Sequence, residues 1–173
     1  AAVGVLNFHN FTADPEFSNP PDSKLGFGFG GLATFSFAPM VGLQVGALYV
    51  PQKIEGSNTV TYNTLQIPVA IRVSPIDLIS VGVGGYFAAA MGDKTVVDVD
   101  TGAESTATFA DDNAEETDIG LLGSVAVKLP VAPLISIVAD ARYLFGLSEQ
   151  STDDTVSIKN RDIQFLVGVN FGL

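Results

Sequence analysis

The sequence has no cysteine, no tryptophan and a single histidine among its 173 residues. Without cysteine, the chain can form no disulfide bond and offers no thiolate nucleophile. Basic residues are scarce as well, because 8 lysines and arginines stand against 19 acidic residues and give a formal net charge of −11. Nucleic acids select basic surfaces, so this charge balance argues against a nucleic-acid partner.

Long apolar runs are also missing. A membrane-spanning helix needs about 20 consecutive apolar residues, and no segment of this chain has them. The mean hydropathy is nevertheless positive, at +0.36, so the apolar residues are spread over many short segments. No secretory signal is visible, since strand-like residues begin at Ala1. We therefore expect the mature form of an exported chain.

The apolar residues that are present alternate with small ones. Residues 25–37 carry two lists of opposite character, Leu25, Phe27, Phe29, Gly31, Ala33, Phe35 and Phe37 on one parity and Gly26, Gly28, Gly30, Leu32, Thr34 and Ser36 on the other. A period of two predicts a β-strand. The second face is too small to fill a dry core, so we expect the large apolar face to contact lipid and the small face to line a narrow lumen.

Eight segments alternate in this way, at residues 2–11, 24–37, 41–53, 59–73, 78–92, 117–128, 134–147 and 159–171. Polar loops join them at one end, at residues 12–23, 54–58, 93–116 and 148–158. Compact proline-containing turns join them at the other end, at residues 38–40, 74–77 and 129–133. This asymmetry is typical of outer-membrane barrels. The sequence predicts an all-β fold, a single domain over residues 1–173 that forms an eight-stranded antiparallel up-and-down transmembrane β-barrel.

The outward parity of the later strands carries no charge, as lipid requires, because a charge near the bilayer midplane costs about 2–4 kcal/mol. The first strand is ambiguous, since either Val3 and Val5 or Leu6 and Phe8 face outward, and a bulge could reconcile them. The alternative architecture is a soluble lipocalin-like carrier, which would have to expose the apolar face to water or enclose it in too small a lumen.

Several segments resemble a known family. Residues 62–72 (YNTLQIPVAIR), 139–147 (ADARYLFGL) and 167–171 (VGVNF) resemble parts of the PorT-like outer-membrane β-barrel family, and residues 4–14 resemble its first strand. Gln66 departs from the acidic residue that the family often has there. The resemblance implies the outer membrane of a Gram-negative bacterium and implies no activity.

Charged residues with inward parity predict a network inside the lumen. They are Arg72, Lys128, Arg142, Asp118, Asp140 and Asp162. An unpaired buried charge is costly, so we expect Arg142 to pair with Asp140, Asp118 or Asp162. The alternative interpretation is a polar pathway for water or small solutes, which the many inward glycines favour.

Five cations lie where strands meet the long loops: Lys24, Lys53, Lys94, Lys159 and Arg161. Lipopolysaccharide carries phosphates at that height, and cations there would pair with them. The other interpretation is that these side chains extend along the membrane interface without a specific partner. We expect outer-membrane lipid and lipopolysaccharide as partners, and a monomer.

The sequence offers no catalytic or metal motif. His9, the single histidine, lies near the end of the first strand with no nucleophile motif beside it. Residues 98–102 (DVDTG) begin like a calcium loop and lack its later ligands. We therefore expect no catalytic residue, no metal and no cofactor. We favour a non-enzymatic scaffold with periplasmic termini and acidic extracellular loops. The alternatives are a narrow pore and, less favoured, a lipid-modifying enzyme.

Overall fold

The computed structural model describes residues 1–8, 11–14, 22–23, 25–55, 58–98, 103–107, 116–148 and 157–172. All of its regular structure is β-strand. The strands are β1 (Ala2–Phe8), β2 (Phe11–Asp14), β3 (Asp22–Ser23), β4 (Leu25–Ala38), β5 (Val41–Glu55), β6 (Asn58–Ile76), β7 (Ile79–Asp98), β8 (Glu104–Ala107), β9 (Thr117–Ala132), β10 (Ile135–Gly146) and β11 (Ser157–Phe171).

These strands form one closed sheet. Antiparallel neighbours follow the order β1-β4-β5-β6-β7-β9-β10-β11, and β1 pairs with β11 from Ala2↔Val169 to Phe8↔Ile163. β2 continues along β11 beyond β1, and β3 precedes β4 along β5. Among the described strands, β8 pairs with β7 alone. The wall therefore has eight antiparallel strands and no free edge, which confirms the predicted barrel.

The short connections are two-residue turns. They consist of Pro39 and Met40, of Asp77 and Leu78, and of Pro133 and Leu134. Proline fixes the backbone of the first position in two of the turns. Met40 and Leu134 then adopt φ angles of 67° and 63°, a left-handed conformation that residues other than glycine and asparagine seldom adopt.

At the opposite end, the strands are longer than predicted. β5 runs to Glu55, β6 starts at Asn58 and β7 runs to Asp98. The expected loops at 54–58 and 93–116 are therefore partly strand. The sequence did not predict these extensions because they carry polar residues on both faces and lack the apolar alternation. Of the expected loops at 12–23 and 148–158, residues 15–21 and 149–156 lie outside the described residues.

The structure resolves the orientation of the first strand. Val3 and Val5 are buried and face inward, whereas Leu6 and Phe8 face outward. The Phe8 ring meets the Phe165 ring of β11 edge-on, with 6.0 Å between centroids. The register of β1 against both neighbours is continuous from Ala2 to Phe8, so no bulge is needed.

The inward glycines allow the strands to pack closely rather than leaving open space. A Cβ atom on Gly84 would overlap the backbone carbonyl oxygen of Val69, and one on Gly168 would overlap that of Ala2. Backbone from the neighbouring strand thus occupies the space of a side chain. Glycine here permits the strong coiling of a small barrel, and it is not a sign of a water pathway.

Proline also interrupts the wall at one place. The β5–β6 ladder runs through Val45↔Val69, resumes at Leu48↔Gln66, and skips the residues opposite Pro68. Proline has no N–H to donate to a ladder and is unusual in a central strand. The buried ring of Pro68 faces inward, and Gly46 on β5 leaves room for it.

Candidate functional site: the lumen and its polar ends

The middle of the lumen is filled by apolar side chains. Leu48, Leu144 and Leu166 are each 1% exposed. One inward cluster contains Val3, Val5, Leu32, Leu48, Val50 and Leu166, and a second contains Ala70, Tyr86, Ala88, Leu122 and Leu144. The sequence predicted a small polar face and inward charges for the lumen, and did not predict these apolar clusters. Leucines at mid-strand positions supply the volume that the glycines lack.

A buried ion network lies in the half of the lumen nearer the short turns. Arg142 and Asp140 form a salt bridge with 2.9 Å between Nη2 and Oδ2. Arg72 donates to the same Oδ2 atom from β6. Strands β6 and β10 are separated in the wall by β7 and β9, so the Arg72–Asp140 pair crosses the lumen.

Local strand geometry explains why these groups meet. Asp140 and Arg142 are two residues apart on β10 and therefore share its inward face. Neutral side chains extend the network: Arg142 Nη2 donates to Gln44 Oε1 at 2.9 Å, and Arg72 Nη1 donates to Ser80 Oγ at 3.2 Å. Two guanidinium groups thus hold one carboxylate, and the predicted pairing of Arg142 falls on Asp140.

Asp118 is the centre of a second polar cluster, which lies nearer the long loops. Tyr86 donates to its Oδ2 atom at 2.6 Å, Asn160 donates to the same atom at 2.8 Å, and Ser148 donates to Oδ1. The Tyr86 ring packs in the apolar cluster while its hydroxyl reaches this carboxylate. Neutral donors therefore stabilise Asp118 without a basic partner in these contacts.

Asp162 lies with Asp118 around a small cavity of about 20 Å³, which Gln52, Thr64 and Gln66 also line. A cavity of that size holds about one water molecule. On the way to the ion network, Leu122 follows Asp118 along the inward face of β9, and Leu144 follows Arg142 along that of β10. Arg142 contacts Asp140 and Gln44, whereas Asp118 is held by neutral donors in a separate cluster.

Lys128 does not join the network either. Its side chain is exposed at the short-turn end of β9, beyond the inward-facing stretch that ends at Ala126. Inward parity predicted a lumen position for Lys128, but both faces of β9 are exposed from Val127 to Ala132. The predicted lumen role of Lys128 was therefore wrong.

The cations predicted at the long-loop rim differ in their environments. Lys94 is buried, because β7 continues past the predicted strand end and carries Lys94 inward. Arg161 lies at the long-loop end of β11, with its guanidinium carbon 3.6 Å from the centroid of the outward Phe145 ring. It donates to the backbone oxygens of Gly146 and Asn160. Lys24 and the side chains of Lys53 and Lys159 lie outside the described residues.

The described residues give no support for a catalytic or metal site. His9 and residues 99–102 of the calcium-like segment lie outside them. Across the ranges that the structure describes, no three His, Cys, Asp or Glu side chains are grouped to hold a metal ion. No helix in those ranges is long and apolar enough to cross a membrane.

The comparison with known families decides the class of the protein. Residues 2–171 match the family model described as the outer membrane protein beta-barrel domain. The chain belongs to this family. A bacterial outer-membrane location follows, and the soluble lipocalin-like alternative does not hold. No curated protein matches the sequence of this outer-membrane barrel.

Solved structures agree with this fold. The barrel is similar to Neisserial surface protein A, with a TM-score of 0.56 and 13% identity over 99% of this chain and 96% of that chain. It is also similar to the outer membrane protein OprG from Pseudomonas aeruginosa, with a TM-score of 0.54 and 10% identity over 98% of this chain and 94% of that chain. At these identities the likeness concerns the fold alone.

Proposed function

We propose that this outer-membrane barrel is non-enzymatic and acts as a closed scaffold that presents acidic loops outside the cell. The observation that carries the proposal is the pair of apolar clusters in the lumen, in which Leu48, Leu144 and Leu166 are almost completely buried. The Arg72–Asp140 pair adds a second obstruction nearer the short turns. An eight-stranded barrel has little room beyond its own side chains, so its exterior and loops are left to carry function.

The proposed orientation has both termini and the short turns on the periplasmic side of the membrane and the long loops outside. Short periplasmic turns and longer extracellular loops are typical of this class, and β1 and β11 bring the two termini to the short-turn end. The predicted loop segments at the other end, residues 12–23, 54–58, 93–116 and 148–158, contain 15 of the 19 acidic residues. The family resemblance that we favour remains PorT-like, on the strength of residues 62–72.

The proposed partners are outer-membrane lipid and the phosphates of lipopolysaccharide, bound by a monomer. Among the rim cations whose side chains are described, Arg161 supports this proposal. Its guanidinium packs on Phe145 at the outward surface, where it can offer a planar fork to a phosphate. The burial of Lys94 removes that residue from the predicted set.

A narrow pathway for water or small solutes is the second candidate. Two polar features favour it, the cavity beside Asp118 and Asp162 and the buried hydrogen bond from Gln164 Nε2 to Gln66 Oε1 at 2.8 Å. These groups lie within the lumen, and a path would have to pass both the leucines and the Arg72–Asp140 pair.

Planar-bilayer conductance separates the two candidates. We expect pure wild-type protein to give no discrete steps, because the leucines and the Arg72–Asp140 pair obstruct the lumen. Reproducible steps from the wild type would support the pore instead.

A further inference from the structure

The rim formed by the short turns is apolar. Two of its turn residues, Met40 and Leu134, are 55% and 71% exposed. Other exposed apolar side chains of this rim are Phe37, Ile76, Leu78, Leu129 and Val131. Exposed apolar groups in one continuous patch mark a surface that something covers.

The backbone at these turns makes the choice of residue informative. Met40 and Leu134 have positive φ angles, a conformation for which glycine or asparagine is the unstrained choice. Large apolar residues stand there instead and project away from the barrel. Their presence has no packing reason inside the lumen, so it points to an apolar environment beyond the rim.

One carbonyl oxygen of each short turn is bonded within the protein. The carbonyl oxygens of Met40, Leu78 and Leu134 accept hydrogen bonds from the backbone N–H groups of Ser74, Lys128 and Gly172, at 2.7, 2.8 and 2.7 Å. Each bond links a turn to the next strand around the barrel. Irregular backbone enters a lipid environment more readily when its polar groups have protein partners, and these three oxygens have them.

The patch is continuous with the bilayer-facing surface. Outward residues of β9 are uncharged from Ile119 to Val131. At a rise of about 3.3 Å per residue and a strand tilt of about 40°, this column is about 30 Å tall, against about 25 Å for the usual apolar band. The column reaches the short-turn end through Leu129 and Val131. Asp77 and Lys128 are exposed at the same rim, and neither lies in the Met40 or Leu134 turn.

We propose that the Met40 and Leu134 turns are inserted among the acyl chains of the leaflet on their side. The barrel is thereby anchored with its short-turn rim inside the membrane and not in water. The occupant of this surface is membrane lipid, because the patch extends the lipid-facing surface without a polar break at these two turns.

Tryptophan fluorescence can test this cleanly, because the chain has no tryptophan of its own. The test variants are Met40→Trp and Leu134→Trp, each refolded into vesicles of plain or brominated phosphatidylcholine. Val83→Trp, on the outer face of β7, is the control within the bilayer. Thr106→Trp, exposed on β8, is the control in water. Heat-modifiability on gels verifies that each variant is folded.

We expect both turn variants to emit at shorter wavelength than Thr106→Trp and to lose at least half of their emission in lipid brominated near the headgroup. Bromine placed deeper should quench Val83→Trp more than the turn variants. Emission and acrylamide quenching equal to those of Thr106→Trp would overturn the proposal. Protection of the turn variants from both acrylamide and bromine would also overturn the proposal, because such protection would indicate contact between protein copies. If one turn variant fails to fold, Phe37→Trp, an aromatic replacement on the same rim, takes its place.

Discussion

Arg72 on β6 and Asp140 on β10 form a buried ion pair that crosses the lumen of the barrel. Asp140 is also held by Arg142 through the same oxygen. The two arginines therefore depend on one carboxylate, and removal of that carboxylate leaves two buried positive charges facing each other. This dependence makes the order of mutational effects predictable.

We predict that Asp140→Asn destabilises the barrel by about 3–5 kcal/mol, the cost of uncompensated buried charge. Arg142→Met leaves the Arg72–Asp140 pair intact, so it should cost about 1.5–3 kcal/mol, as for the loss of hydrogen bonds to a charged group. Urea unfolding in lipid vesicles measures both free energies.

Lys128→Met serves as the control for those variants, because Lys128 is exposed near the same end of the barrel. It should change the free energy of unfolding by less than about 0.5 kcal/mol. An equal and small effect of all three substitutions would mean that the ion network is solvated, and that the lumen holds water at this level.

The inward glycines give a second prediction. Gly168→Ala should destabilise the barrel by about 1–3 kcal/mol, because the new methyl group overlaps the carbonyl oxygen of Ala2 and the strands must shift. Gly123→Ala is the matched control on the outer face, where a Cβ atom meets nothing within 4 Å. The free energy of unfolding in urea should be lower for Gly168→Ala than for Gly123→Ala. Equal free energies would show that the lumen is wider than described.

The hydroxyl of Tyr86 gives a third prediction. Tyr86→Phe removes one of the three side-chain donors to Asp118, so it should cost about 1.5 kcal/mol, the lower end for a hydrogen bond to a charged group. Tyr143→Phe changes the same atom on an exposed outward ring and should have no measurable effect. A neutral Tyr86→Phe would indicate that solvent reaches the Asp118 carboxylate.

Much of the fold could be predicted from the sequence because a β-barrel repeats one local pattern. The alternation of Phe27 and Phe29 with glycines defines both the strand and its outer face, and this pattern recurs in each wall strand. The strand ends beyond the membrane were less predictable. Polar residues such as Lys94 and Thr95 lie on both faces there, so the sequence shows no apolar alternation.

The lumen was predicted only in part. Arg142 and Asp140 are neighbours on one strand face, so Asp140 was one of the three expected partners, but inward parity alone gave no reason to prefer it to Asp118 or Asp162. The apolar clusters were missed because each strand contributes a single inward leucine, such as Leu122 or Leu144, among small residues. Leu122 and Leu144 pair across the neighbouring strands β9 and β10, and a reading of one strand at a time does not give that register. Tyr86 was missed as the donor to Asp118 for the same reason, since β7 and β9 are also neighbouring strands.

The central claim is that the lumen is closed, and osmotic water permeability tests it most directly. Vesicles containing the purified protein are mixed rapidly with hypertonic sucrose, and their shrinkage is followed by light scattering against empty vesicles. The account predicts that wild-type vesicles shrink at the rate of empty ones. Faster shrinkage with the wild type, increasing in proportion to protein content, would contradict it.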